Sequence, residues 1–219
     1  MKNQAELSAF FKQVQASIKK KDEFEDGKKY LLELRKCLLE IYCHIFDSVE
    51  GDRYSAMPLS NDKTIAYYLY HANRIEDITS NTLILDKTQI FHEKDYQKRI
   101  GAFISTTGNE LRREQLVEFS KSLNIEELKK YVEEVFANTN ELIKKATFAE
   151  SKKKISPEIR EKLIELNSVS TDDNAFWLVD YWCKKDYQGL FLMPFSRHQF
   201  THLRGCLRIM KKVCTNNKI

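Results

Sequence analysis

Two histidines near the C-terminus are spaced so that they could share one metal ion. His198 and His202 stand four residues apart in the stretch HQFTH, on a predicted helix. Side chains at positions i and i+4 of a helix project side by side, so two imidazoles can converge on one cation. Because a chain with five histidines can produce this spacing by chance, the pair alone is as typical of partly exposed helix histidines as of a metal site.

A third histidine shifts the balance toward metal binding. His71 lies in the middle of another long predicted helix and shares an apolar face with Ile75 and Ile78. A buried imidazole needs a hydrogen-bonding partner or a metal ion, so His71 is available as a third ligand. Three imidazoles leave one position of a tetrahedral ion open, which is typical of catalytic zinc. Nickel, iron and manganese are alternatives.

The cysteine and the charged residues near these histidines are better explained by packing or ion pairing than by catalysis. Cys206, one turn after His202, could be a fourth ligand, but a buried cysteine more often acts as a small hydrophobe. Arg74 and Asp77 fit an ion pair within one helix better than an acid–base couple. No equally clear general base is evident, and catalytic residues stay undetermined. No role is predicted for the two remaining histidines, His44 and His92.

Aromatic residues supply two further hypotheses. Tyr67 and Tyr70 lie within one turn of His71 and could reach a bound ligand, although such tyrosines are more often packing residues. The stretch NAFWLVDYWCKK could line a pocket beside the metal, although an aromatic cluster at helical spacing is usually part of a core. The aromatic residues that could line this pocket are Phe176, Trp177, Tyr181 and Trp182.

Hydrophobic periodicity predicts that helices hold these side chains. Six glycines and three prolines leave few tight turns, which favours an all-α fold. Residues 86–112 keep no sustained period and are predicted to be a long connection that could include a short helix. Ser60, Asn61 or Asp62 is expected to cap the helix that carries His71. Helical spacing of apolar residues is found over 5–20, 28–47, 63–84, 113–123, 125–145, 156–166, 174–185 and 196–213.

Composition narrows the class of protein. The 219 residues are enough for one sizeable core. Thirty-six basic and 32 acidic residues give a net charge of +4, and the lysines are spread along the chain, which argues against nucleic-acid binding. Five cysteines without a CxxC pair, and no recognisable secretory leader, lead us to expect a cytoplasmic protein. No apolar run approaches the roughly 20 residues of a membrane span.

The stretch YYLYHANRIEDITSNTLI, followed far downstream by GLFLMPFSRHQFTHLRG, resembles the DinB/YfiT-like superfamily of metal-dependent four-helix bundles. The similar stretches cover most of residues 28–212. The resemblance implies a divalent metal held by His71 on the second bundle helix and by His198 and His202 on the last. The chain departs from the family core in its N-terminal helix, around residues 147–170, and at Cys206, where many relatives carry a polar residue.

The resemblance implies an all-α, DinB-like four-helix bundle with an extra N-terminal helix and inserted short helices. We expect a helical extension over residues 1–24, the bundle over 25–215 and a disordered tail over 216–219. The implied function is binding of a divalent metal, zinc or nickel first, with thiol transferase or hydrolase activity on a small molecule. Expected partners are that substrate, a low-molecular-weight thiol and a second copy of the chain, without nucleic acid or membrane. The alternative is a non-catalytic dimeric binding or stress-response module.

Overall fold

The structure is a computed structural model that describes residues 4–58 and 63–215. These residues fold into helices, and the one β-type pairing among them is an isolated antiparallel bridge between Lys154 and Asp186. The prediction of an all-α protein is therefore confirmed. None of the helices in this part of the chain is long and apolar enough to cross a membrane.

The longer helices follow the predicted segments closely, whereas the short helices at Phe148–Ser151 and Tyr187–Leu192 were not predicted. Short 3₁₀ turns at Lys21–Glu23 and Gly51–Tyr54 flank the second helix, and a π-helical segment, Ile78–Ile84, extends the third. In chain order the α-helices are α1 (Gln4–Ser17), α2 (Phe24–Ser48), α3 (Ile65–Asp77), α4 (Ile90–Glu93), α5 (Tyr96–Ile100), α6 (Arg113–Ser122), α7 (Ile125–Lys145), α8 (Phe148–Ser151), α9 (Pro157–Glu165), α10 (Asp173–Cys183), α11 (Tyr187–Leu192) and α12 (Arg197–Thr215).

Four long helices enclose the main core. Helix α3 packs against α7 and α12, and α2 packs against the same two helices, so the four form a closed ring. The apolar stripes predicted for α2 and α7 face inward because their apolar residues recur every three or four positions. The fully buried members of these stripes include Leu31, Leu34, Leu38, Ile45, Leu128, Val132 and Val135.

Helix α1 belongs to the same packed unit. Leu7, Val14 and Ile18 are buried with the residues of the main core. The close approach of α1 to α2 depends on Gly27, since a Cβ there would lie 2.6 Å from the backbone nitrogen of Ile18. The boundary between residues 1–24 and the remainder stays a prediction.

The helix that carries His71 begins with a side-chain cap. The oxygen of the Thr64 side chain accepts a hydrogen bond from the Tyr67 backbone N–H at 3.1 Å. This bond satisfies one of the free amides of the first turn. The predicted caps, Ser60, Asn61 and Asp62, lie outside the described residues, as does the predicted tail over 216–219.

The connection after α3 is more ordered than the sequence indicates. It contains the two short helices α4 and α5 and then an irregular segment, residues 101–112, which we call the α5–α6 loop. Side chains of α3 hold this loop: the Tyr70 hydroxyl donates to the carbonyls of Ile104 and Thr106 at 3.1 Å each. Arg74 donates to the carbonyl of Ser105 at 2.7 Å.

Candidate metal centre

The structure brings the three predicted ligand residues together. His71 lies on α3, and His198 and His202 lie on the first turns of α12, which packs against α3. One candidate ligand atom from each of the three residues lies within 4.8 Å of the other two. The Nε2 atoms of His198 and His202 are 2.9 Å apart. The prediction that helices far apart in sequence bring these three imidazoles close together is therefore confirmed.

A glycine allows the two helices to approach at this point. Gly205 faces Tyr68 of α3, and a Cβ at Gly205 would lie 2.8 Å from Cε2 of Tyr68. The Tyr68 ring in turn packs against the His202 ring, with 5.1 Å between centroids. The small residue on α12 therefore makes room for an aromatic wall beside the histidines.

The orientation of His71 is set by the α5–α6 loop. Its Nδ1 lies 2.7 Å from the backbone carbonyl of Thr107. Because a carbonyl can only accept, Nδ1 carries the proton and Nε2 keeps its lone pair. The Tyr67 ring stacks on the imidazole at 5.2 Å between centroids and an angle of 17°. This arrangement resembles the outer support of protein metal sites, in which a second hydrogen bond fixes the ligating imidazole.

Burial keeps the three imidazoles neutral. It lowers the pKa of His71 to about 4, although the hydrogen bond to Thr107 partly opposes this effect. Burial also holds the pKa of His198 and of His202 well below the usual range, and the neighbouring imidazoles lower it further. Neutral imidazole is the form that binds metals, so the cluster does not have to lose protons at pH 7.

The donor set fits a divalent metal ion. Nδ1 of His198 is buried and has no hydrogen-bond partner in the described part of the chain. Tetrahedral zinc with Zn–N bonds of about 2.0–2.1 Å places its nitrogens about 3.3 Å apart. The Nε2 atoms of His198 and His202 are slightly closer than that, and the candidate ligand atoms of the three residues all lie within 4.8 Å of one another. Imidazole ligation suits zinc and nickel, and the residues do not decide between them.

A cavity of about 360 Å³ opens beside the three histidines. Trp177, Tyr181 and Trp182 line it, which confirms the hypothesis of an aromatic pocket for these three residues. Phe176 was predicted with them but is not part of the lining; its side chain is partly buried against the core. The other lining residues, besides the histidines, are Ile75, Asn109, Leu178, Met193 and Pro194.

Cys206 and the Arg74–Asp77 pair have the structural roles predicted for them. The Cys206 thiol is buried, lies 3.9 Å from the carbonyl of Ile65 and is outside the three-histidine group. Burial also raises the pKa of this thiol, as expected of a small hydrophobe. Nη1 of Arg74 lies 3.2 Å from Oδ2 of Asp77 within α3. His44 and His92 lie outside the group as well.

Sequence reasoning missed a buried polar network behind the histidines. Both oxygens of Glu76 accept from the Arg35 guanidinium, at 2.6 and 3.0 Å. Gln199, the neighbour of His198, donates to Glu76 at 2.8 Å. Arg35 also donates to the carbonyl of Phe195, just before α12, at 2.7 Å. One signal could have revealed the network, since Arg35 interrupts the apolar stripe of α2 between Leu34 and Leu38.

The chain matches no protein-family model, and no curated protein matches it. Its function is therefore inferred from the fold and from the geometry of the histidine cluster.

Proposed function

We propose that this protein binds a divalent metal ion, zinc or nickel, through His71, His198 and His202. The observation that carries the proposal is the convergence of three neutral imidazoles, from two helices, beside an open cavity. The ring of α2, α3, α7 and α12 supports the further proposal that the chain is a DinB-like four-helix bundle. The position of His71 on α3 and of the histidine pair on α12, the last helix of the ring, supports this proposal.

The chain's own residues prepare the site. Thr107 fixes the ring of His71, and the Glu76–Gln199 contact holds the start of α12 against α3. When bound, the ion would supply an open coordination position that can lower the pKa of a water toward about 7 or stabilise a thiolate. Asn109 and Tyr181 carry the polar groups that could orient a small molecule in the cavity.

The lining of the cavity favours thiol chemistry over hydrolysis assisted by a side-chain base. Among the described residues that line it, none carries a carboxylate. A water would therefore lack a general base of the usual type beside it. A thiol ionises near pH 8.5 without assistance, and its thiolate is a strong nucleophile. We accordingly propose group transfer involving a small thiol ahead of hydrolysis.

Metal analysis tests the binding proposal. We expect protein purified without a histidine tag to contain roughly one divalent ion per chain, because three histidines form one site. The variant His71→Ala should lose most of this metal, since two imidazoles on one helix bind far more weakly than three. The variants His44→Ala and His92→Ala are matched controls and should keep it, because neither residue belongs to the cluster.

A metal-free binding module is the second candidate, and one contact favours it. The 2.9 Å separation of the Nε2 atoms of His198 and His202 would also suit a direct hydrogen bond between them. Retention of metal by His71→Ala, or wild-type protein that takes up no zinc or nickel when either is added, would support this candidate and overturn the metal proposal.

A further inference from the structure

We infer that the cavity beside the histidines takes a small ligand with a flat, uncharged apolar body and one metal-binding head group. This inference rests on the proposed metal function. It adds the chemical class of the bound molecule, and it assigns Trp177 as the residue that recognises the body. The body would lie along α10, and the head group would point to His71, His198 and His202.

Trp177 carries the first part of the inference. Trp177 is 51% exposed although tryptophan is usually well buried, and it lines the cavity. The indole N–H already donates to the carbonyl of Asn174 at 2.9 Å. The ring also contacts the Tyr181 ring edge-on, with 5.6 Å between centroids. The indole is thus held in place, and what it offers a ligand is its aromatic surface.

The charge of the lining carries the second part. In the described chain, no lysine, arginine, aspartate or glutamate lines the cavity. The charged residue next to Tyr181 in α10 is engaged elsewhere: Asp180 pairs with Arg160 at 2.9 Å, and both side chains are exposed. A charged ligand body would lose its hydration without gaining a partner, which is unfavourable. The volume of about 360 Å³ is near the lower end of the roughly 300–1,000 Å³ of small-molecule sites, so one or two rings would fit.

A separate groove on the other side of His202 is chemically different. It is lined by Tyr68, Thr201, Arg204, Gly205 and Arg208. This lining is cationic where that of the cavity is uncharged. A ligand with an anionic body would therefore prefer the groove, and the two routes to the histidines can be distinguished by the charge of the ligand.

Three hydroxamates with the same head group test the inference on cobalt-loaded protein. We expect benzohydroxamate to bind about tenfold more tightly than acetohydroxamate, a difference of about 1.4 kcal/mol, because the phenyl group enters the apolar cavity. We expect 4-carboxybenzohydroxamate to bind about tenfold more weakly than benzohydroxamate. The cobalt absorption spectrum reports the head group, and quenching of tryptophan fluorescence reports the body.

Two variants assign the recognition to Trp177. Trp177→Ala should weaken benzohydroxamate about tenfold, leave acetohydroxamate unchanged and keep the cobalt content of the wild type. Phe103→Ala is the matched control, since Phe103 is similarly exposed, at 53%, and does not line the cavity. It should bind all three hydroxamates as the wild type does.

The outcomes separate this inference from the proposed function. Failure of the wild type to bind cobalt, zinc or nickel would overturn the metal function and the inference with it. Normal cobalt binding together with equal affinities for benzohydroxamate and acetohydroxamate would overturn only the inference. Tighter binding of the carboxylated compound would also overturn it, because that result places the ligand body in the cationic groove.

Discussion

At the scale of single residues, the important property of the histidines is that burial keeps them unprotonated. His71 is 5% exposed and uses Nδ1 to donate to the Thr107 carbonyl, which leaves the lone pair on Nε2. Burial lowers the pKa of these imidazoles, since the protonated form would be poorly hydrated. The same burial that prepares the cluster for a metal therefore makes the metal-free protein sensitive to acid.

The metal-free protein should lose stability as the pH falls from about 6.5 to about 4. The pKa of His71 is about 4 when folded and about 6.5 when unfolded, so only the unfolded chain gains this proton in that range. The free energy of unfolding should decrease by on the order of 3 kcal/mol from His71 alone. Urea titrations in the presence of a chelator at several pH values would measure the decrease.

The variant His71→Asn identifies the source of this pH dependence. It should have a shallower slope than the wild type between pH 6.5 and 4, because the titrating group is gone. His44→Asn, on α2 and outside the cluster, should keep the wild-type slope. Identical slopes for the wild type and His71→Asn would show that His71 is accessible to protons in the folded protein.

The identities of the three clustered histidines could be predicted from the sequence, but the orientation of His71 could not. Residue type and the i, i+4 spacing point to His198 and His202, and the apolar stripe of α3 points to His71. The hydrogen-bond partner of His71 is a backbone carbonyl of the α5–α6 loop. A carbonyl is present at every position of the chain, so no residue type marks the one that faces the imidazole.

At the scale of elements, the α5–α6 loop owes its shape to α3. Successive carbonyls of residues 104–107 accept hydrogen bonds from Tyr70, Arg74 and His71. Such a loop has no hydrophobic period because its order comes from side chains of another element. This is why residues 86–112 could be predicted only as a connection, whereas the periodic helices were predicted almost to their ends.

The substitution Gly108→Ala should destabilise this loop and the orientation of His71. Gly108 has φ +78°, a conformation unfavourable for alanine, and the new Cβ would lie 3.0 Å from Cε2 of Tyr67. Together, strain and crowding should reduce the free energy of unfolding by about 1–3 kcal/mol. Thermal or urea unfolding measures this loss, and zinc titration should show weaker binding.

Gly51→Ala is the matched control for Gly108→Ala. Gly51 also has a positive φ, +54°, but a Cβ there would contact nothing within 4 Å. The Gly51→Ala variant should have backbone strain without crowding. Its free energy of unfolding should therefore fall less than that of Gly108→Ala, and its zinc affinity should equal that of the wild type. Equal zinc affinities for the wild type and Gly108→Ala would contradict a role of the loop in orienting His71.

The buried Arg35–Glu76 pair connects α2 with α3, and Gln199 extends the connection to α12. The Arg35 and Glu76 side chains are both 0% exposed. Glu76→Ala should destabilise the protein by about 3–5 kcal/mol, because it leaves the Arg35 charge buried without its partner. It should also weaken zinc binding, since Gln199 loses its contact beside His198. Chemical unfolding and zinc titration measure the two effects.

The exposed Glu141–Lys144 pair is the control for the buried pair. Both side chains are 56% exposed, and solvent screens their interaction. Glu141→Ala should therefore unfold and bind zinc nearly as the wild type does. A small effect of Glu76→Ala would mean that water reaches Arg35 and that the network contributes little to the position of α12.

At the scale of the whole molecule, the all-α fold follows from composition and periodicity, whereas the way α1 is attached does not. The apolar stripe of α1 predicts that the helix is covered, without indicating by what. In the structure α1 packs on α2. The Phe11 ring of α1 also lies 5.2 Å from the ring of Phe200, the α12 residue midway between His198 and His202 in the sequence. The first helix thereby supports the element that carries two candidate ligands.

Gly27→Ala should loosen this attachment. The backbone of Ile18 lies 2.6 Å from the position of the new Cβ and cannot rotate away as a side chain would, so α1 must shift from α2. We expect the free energy of unfolding to fall by about 1–3 kcal/mol and amide exchange in α1 to accelerate. The matched control is Gly189→Ala on α11, where the nearest atoms, 3.1–3.3 Å away, belong to the side chains of Lys185 and Asp186. Protection of α1 in Gly27→Ala equal to that of the control would show that close approach at Gly27 is not what holds α1 to the core.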